Sequence, residues 1–176
     1  MELYMNFVKN YTILSAIIHF AILGTFGEVI SKWVINKSMK YPFDGLSTIK
    51  KMMIWAFLGV CIKYAFKGFA YGFVPALIEN GMLPNVDHDS FLFAFFVSAF
   101  MNAQFGLLLV MLHRLLDNFA AGRSNWKNIH KSILSLVWFW IPAHTVTFLL
   151  PVEMRVVVAA LWSLVLGLIL GFFNRK

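Results

Sequence analysis

The sequence predicts an all-α, polytopic integral membrane bundle, and three observations carry that prediction. Hydrophobic residues fill 60% of the 176 positions and charged residues only 13%, against about 45–50% and about 25% in soluble domains. The apolar residues gather into five runs separated by short polar joints. No segment alternates with the period of two that a membrane β-barrel requires. The length suits one domain, residues 1–176.

The five runs are 12–34, 52–78, 91–116, 129–150 and 156–173. Each comes near or exceeds the ~20 residues that carry a helix across ~30 Å of hydrocarbon. Turn-forming residues fill the joints: "YPFDG" at 41–45, "ENGMLPN" at 79–85, "NFAAGRSN" at 118–125, and Pro151. Asp87, Asp89 and Ser90 are placed to cap the third helix, Gly122 to end it and Ser124 to open the fourth.

Cysteine and charge exclude several classes. A single cysteine, Cys61, rules out an internal disulfide framework, and no Cys/His spacing resembles a zinc site. The "DHD" at 87–89 reads as a solvated helix cap, because adjacent residues converge poorly on one ion. No metal and no cofactor are expected. The net charge of +7 sits between apolar runs and forms no basic stripe, so it points to membrane topology and not to nucleic acid.

Only Lys9 precedes the first run; Lys32, Lys37, Lys40, Lys50 and Lys51 follow it. The second joint holds Glu79, Asp87 and Asp89 and no cation, and the third holds Arg114, Arg123, Lys127 and Lys131. Arg155 marks the fourth joint, and Arg175 and Lys176 the tail. Basic and non-basic joints alternate as five crossings require, with the N-terminus outside and the C-terminus inside. The first run is too long for a cleaved signal peptide and lacks a small-x-small cleavage site. The stretch before it is not the Arg-rich, acid-free presequence of an imported protein.

Small residues predict how the helices meet. Ala21, Gly24 and Gly27 form a stripe on the first helix, Gly68 and Gly72 a GxxxG on the second, and Gly167 and Gly171 another on the fifth. Such residues let backbones approach closely where lipid supplies no hydrophobic push. Compact packing, and with it a homo-oligomer, is open to such a chain.

Two lysines interrupt the second run in "GVCIKYAFKGFAYGF" (59–73). Counted from Lys51 at the inner interface, Lys63 falls about 18 Å in and Lys67 about 24 Å, at ~1.5 Å per residue. Lys67 is near enough to the far surface to snorkel; Lys63 needs a polar interior, a partner, an anionic ligand or a longer snorkelling reach. Glu28 is the one clear carboxylate within a run and is the expected counter-ion. Other spans carry polar groups at similar depth. Asn102 and Gln104 lie midway along the third helix, and His144 and Thr145 follow Pro142, which predicts a kink in the fourth. A broken helix bordered by polar side chains belongs where it is buried in protein or lines water. His19 is placed to join from the outer half.

The order of these features resembles the Mpv-seventeen and 22-kDa peroxisomal membrane protein family. "FGEVISKWV" (26–34) is similar to the family's first-helix stretch, with Glu28 at its Asp. "GVCIKYAFKGF" (59–69) keeps the family's Gly at Gly59 and has Lys63 where the family has His. Asn102 of "FMN" takes the Asp of an Asp-Gln pair, and "WFWIPAHTVTFLLPVEMR" (138–155) matches at Pro142, Phe148, Pro151 and Arg155. The resemblance implies a modestly selective pore for small solutes in a peroxisomal or mitochondrial membrane; a bacterial plasma membrane is the other compartment considered.

The expected function is therefore a channel or transporter passing small anionic solutes through a polar interior. Its candidate residues are Lys63, Lys67, Asn102, Gln104, His144 and Thr145, since rings of cations favour anions and broken helices mark transport sites. The alternative is a non-transporting structural or lipid-binding protein, whose basic inner joints hold anionic headgroups. No nucleophile or metal motif accompanies the histidines, so an enzyme is not expected.

Overall fold

The computed structural model describes residues 2–174, and every regular element among them is helical. Arg175 and Lys176, read above as tail cations, lie outside the described residues. A short α1 (Glu2–Asn10) precedes four helices long and apolar enough to cross a membrane: α2 (Thr12–Asn36), α3 (Gly45–Glu79), α4 (Phe91–Ala121) and α6 (Val152–Asn174). The fourth apolar run forms α5 (129–148), which returns antiparallel along α4. Four helices thus meet the length and apolarity of a crossing where the sequence predicts five. The fifth run is a shorter helix packed into the same bundle.

Sequence neighbours are spatial neighbours. α2 packs on α3, α3 on α4, α4 on α5 and α5 on α6, and α6 closes the circle against α2. The α2–α6 seam is the tightest, and its cause is glycine. A Cβ on Gly167 would collide with the Gly27 carbonyl, one on Gly27 would come within 2.5 Å of the Ser163 carbonyl oxygen, and one on Gly171 would meet the Val34 side chain at 2.7 Å. The first and fifth glycine stripes therefore face each other, as close backbone contact demands. Gly24 and Gly59 make the α2–α3 seam, against Trp55 and Phe20. Gly68 and Gly72 have nothing within 4 Å of an added Cβ, so that GxxxG does not serve packing within the chain.

Helix ends follow local chemistry. Asp44 caps α3 by accepting from the Ser47 amide at 2.8 Å, and this bond with that from the Ser47 hydroxyl holds its carboxyl below the ordinary range. That contribution is present above the unfolded pKa and is lost as pH falls through the lower folded value. Among the three residues proposed to cap α4, Ser90 does so, accepting from the Phe93 amide at 3.1 Å. Gly122 ends α4 at φ 62°, as expected. Ser124 does not open α5: Asn128 precedes its first turn, and the Ser124 hydroxyl accepts from Trp126 Nε1 instead.

Four helices contain one wide π-helical turn, at Phe20–Gly24, Phe69–Phe73, Asn102–Gly106 and Leu136–Trp140. Two of these end just before a proline, Pro75 or Pro142. Proline lacks the amide that would close the preceding turn, and the helix widens there while continuing. The kink expected at Pro142 takes this form. The hydroxyls of Ser98 and Thr145 both donate to the adjacent Ile141 carbonyl at 2.7 Å.

Candidate functional site

The five helices of the ring enclose a cavity of about 540 Å³. Each contributes one face at helical spacing. α2 presents Gly24, Glu28 and Ser31; α3 presents Lys51, Trp55, Leu58, Ile62 and Phe66. From α4 come Asn102, Leu109, His113 and Asp117, with Ser135, Trp140 and His144 from α5 and Ser163 from α6. Along α3 the lining runs from Ser47 to Phe66, about 28 Å at ~1.5 Å per residue. Exposed Lys32, Arg123 and Asn125 stand at the mouth, on the side of the two basic joints. The lining stops near Phe66 and His144, and beyond it lies the apolar core of Phe93, Ala94, Val97, Ala70, Val74 and Phe148.

An ion-pair cluster occupies the wall. Lys51 Nζ pairs with Glu28 Oε2 and stands 3.3 Å from Asp117 Oδ1. The second oxygen of Glu28, Oε1, accepts from Trp55 Nε1 at 2.8 Å. His113 Nε2 lies 3.4 Å from that oxygen and 3.6 Å from Asp117 Oδ2. The four charged or imidazole side chains are each between 18% and 28% exposed, so they lie well inside the protein yet border the cavity. This is the arrangement that lets charge sit at depth: every ion has a partner of opposite sign.

The hairpin register explains the cluster and corrects one expectation. With α2 and α3 antiparallel about the 37–44 turn, Glu28 is level with Lys51 and Trp55, as Gly24 is with Trp55 and Phe20 with Gly59. Lys63 lies about 18 Å further along α3, three turns of helix away. Glu28 is consequently the counter-ion of Lys51, not of Lys63. Lys63 is half-buried and rests its ammonium 4.7 Å from the centre of the Tyr64 ring; Lys67 is exposed. Neither is among the cavity's lining residues, and Gln104, also expected in the interior, is exposed on the outer face of α4.

The inner end of the cavity brings Asn102 and His144 together. Asn102 is buried, and its Nδ2 donates to the Ser98 carbonyl at 2.8 Å and to His144 Nδ1 at 3.2 Å. With Nδ1 accepting, the His144 proton sits on Nε2. The imidazole is held between Phe66 and Trp140, at 5.3 and 4.9 Å between ring centres. Thr145 is buried but spends its hydroxyl on its own helix. His19 is occupied elsewhere, by Tyr4 and the Ser15 carbonyl. Two of the residues on which the resemblance above rests make packing contacts. Gly59 meets Phe20, and Arg155 donates to the Leu150 carbonyl at 2.9 Å while lying over the Phe148 ring, bracing the Pro151 turn.

Lys51, Trp55, His113, Arg114 and Asp117 were not among the sequence candidates. Their signal was present in "LHRLLDN" (112–118), where His113 and Asp117 stand one turn apart on one face of α4. It was obscured because charges near a run's end read as a joint.

Fold and site together define a helical membrane bundle with a charged cavity inside its ring. No family model, curated protein or solved structure matches the chain.

Proposed function

We propose that this protein is a channel or transporter that takes small anionic solutes into the ring from the side of the basic joints. One observation carries the reading: Lys32, Lys51, Arg114 and Arg123 border the cavity against two carboxylates, Glu28 and Asp117. Cations facing a low-dielectric cleft raise the local concentration of anions. The inner end offers hydrogen-bonding groups in place of charge, at Asn102 and His144. Passage beyond them requires the Phe66–Phe148 layer, whose rings are 4.8 Å apart, to move. The wide turns at Asn102–Gly106 and Leu136–Trp140 flank that level and are natural places for such motion.

Two of the cavity's serines spend their hydroxyls on backbone. Ser135 donates to the Ser132 carbonyl at 2.7 Å and Ser163 to the Ala160 carbonyl at 2.6 Å. We take the basic joints, and the cavity mouth with them, to lie on the cytoplasmic or matrix side, with the N-terminus outside, as the positive-inside rule favours. Bacterial plasma membrane and peroxisomal or mitochondrial membrane both fit this topology. Membrane lipids with anionic headgroups are the expected neighbours of the mouth.

Purified protein in liposomes tests it. Anion efflux should exceed that from protein-free liposomes, and the double variant Lys32→Met, Arg114→Met should lose anion preference. Absence of flux from monomeric and oligomeric preparations, with anionic lipid retained through purification, favours the lipid-binding alternative.

A further inference from the structure

From the geometry of Glu28, His113 and Asp117 we infer a binding site for a divalent transition-metal ion on the cavity wall. The inference stands on donor geometry and is independent of whether solutes cross the membrane. The three residues each offer one ligand atom, and these atoms lie within 4.8 Å of one another. An ion bound to nitrogen and oxygen donors at about 2.0–2.2 Å holds neighbouring donors about 3.0–3.5 Å apart. His113 Nε2 is 3.4 Å from Glu28 Oε1 and 3.6 Å from Asp117 Oδ2, close to that spacing. At these distances it has no partner of good hydrogen-bond geometry, and it is shielded from solvent. A buried imidazole nitrogen left without a partner is costly, and an ion equidistant from the three donors would satisfy it.

Lys51 does not block this face. Its ammonium holds the opposite oxygens, Glu28 Oε2 and Asp117 Oδ1, leaving Oε1 and Oδ2 turned toward His113. Trp55 Nε1 donates to Glu28 Oε1 and its ring packs 4.6 Å from that of His113. Lysine and tryptophan thus orient the carboxylates and the imidazole as outer partners do in metal sites. The charge also fits: two carboxylates and one ammonium leave a single negative charge for an incoming cation to offset. One imidazole and two carboxylates suit Zn²⁺ or Mn²⁺ better than a thiol-seeking ion. Because all three ligands border the cavity, the remaining coordination positions open toward it.

Calorimetry with Zn²⁺ and electron paramagnetic resonance with Mn²⁺, on the full chain in detergent at neutral pH, test the site. The wild type should bind about one ion per chain, and His113→Gln with Asp117→Asn should abolish saturable binding while the circular dichroism of the bundle is kept. Trp55→Phe changes no ligand and should weaken binding about 10–100-fold; it serves if the double variant does not fold. Wild-type affinity in both variants would place the ion elsewhere and overturn the assignment. So would the absence of saturable binding, or a titration in which His113 takes a proton between the two carboxylates and Zn²⁺ does not compete with it.

Discussion

Glu28 and Lys51 stand 23 residues apart in sequence, on facing turns of α2 and α3, and join in an ion pair inside the ring. With Asp117 as second partner, this lysine is the charge that holds three helices at one level.

Removing one member leaves the others unmatched. Lys51→Met leaves Glu28 and Asp117 facing each other and should cost about 3 kcal/mol, the low end for a broken buried pair since the cluster borders a cavity. Thermal unfolding in detergent measures it. Glu28→Gln added to Lys51→Met should recover part of the loss; a single variant as stable as the wild type would contradict the pairing.

The glycines separate by position. Gly167→Leu drives a side chain into the Gly27 backbone and should destabilise by about 1–3 kcal/mol or more, since neither backbone can give way. Gly68→Leu, on the open face of α3, should leave the melting temperature near that of the wild type. Equal effects at both positions would contradict the α2–α6 seam.

Asn102 ties α4 to α5. Asn102→Leu leaves His144 Nδ1 without its donor and should cost about 1–3 kcal/mol. His144→Leu with Asn102→Leu should cost less than the sum of the two single variants, read from a double-mutant cycle.

Lys63 separates the account from one based on sequence depth alone. Since it rests against Tyr64 and is not among the lining residues, Lys63→Met should leave anion flux unchanged, whereas Arg114→Met should reduce it. The reverse result would restore Lys63 to the permeation path.

Much of the fold was legible because apolar runs of membrane length have few alternatives. Glycine stripes named the faces of α2 and α6 correctly, although nothing in their spacing said that they meet each other. Asn102 and His144 were legible as polar residues in mid-run. Lys63 was misjudged because depth along a helix says nothing about rotation about its axis; Ile62 and Phe66 turn inward and carry Lys63 aside. Lys51, His113 and Asp117 were missed for the converse reason. Each sits near a run's end, where charge is ordinary, and only the hairpin register brings them level with Glu28.

The central claim is that water and small anions reach the interior of the ring from the basic side. Single cysteines in a Cys61→Ser background, treated with a membrane-impermeant sulfonate thiol reagent, test it most directly. Ser31→Cys, half-buried on the cavity wall, should react from the basic side, and faster with the anionic reagent than with a cationic one; Lys63→Cys should stay unmodified. An inert Ser31→Cys beside a reactive Lys63→Cys would contradict this reading.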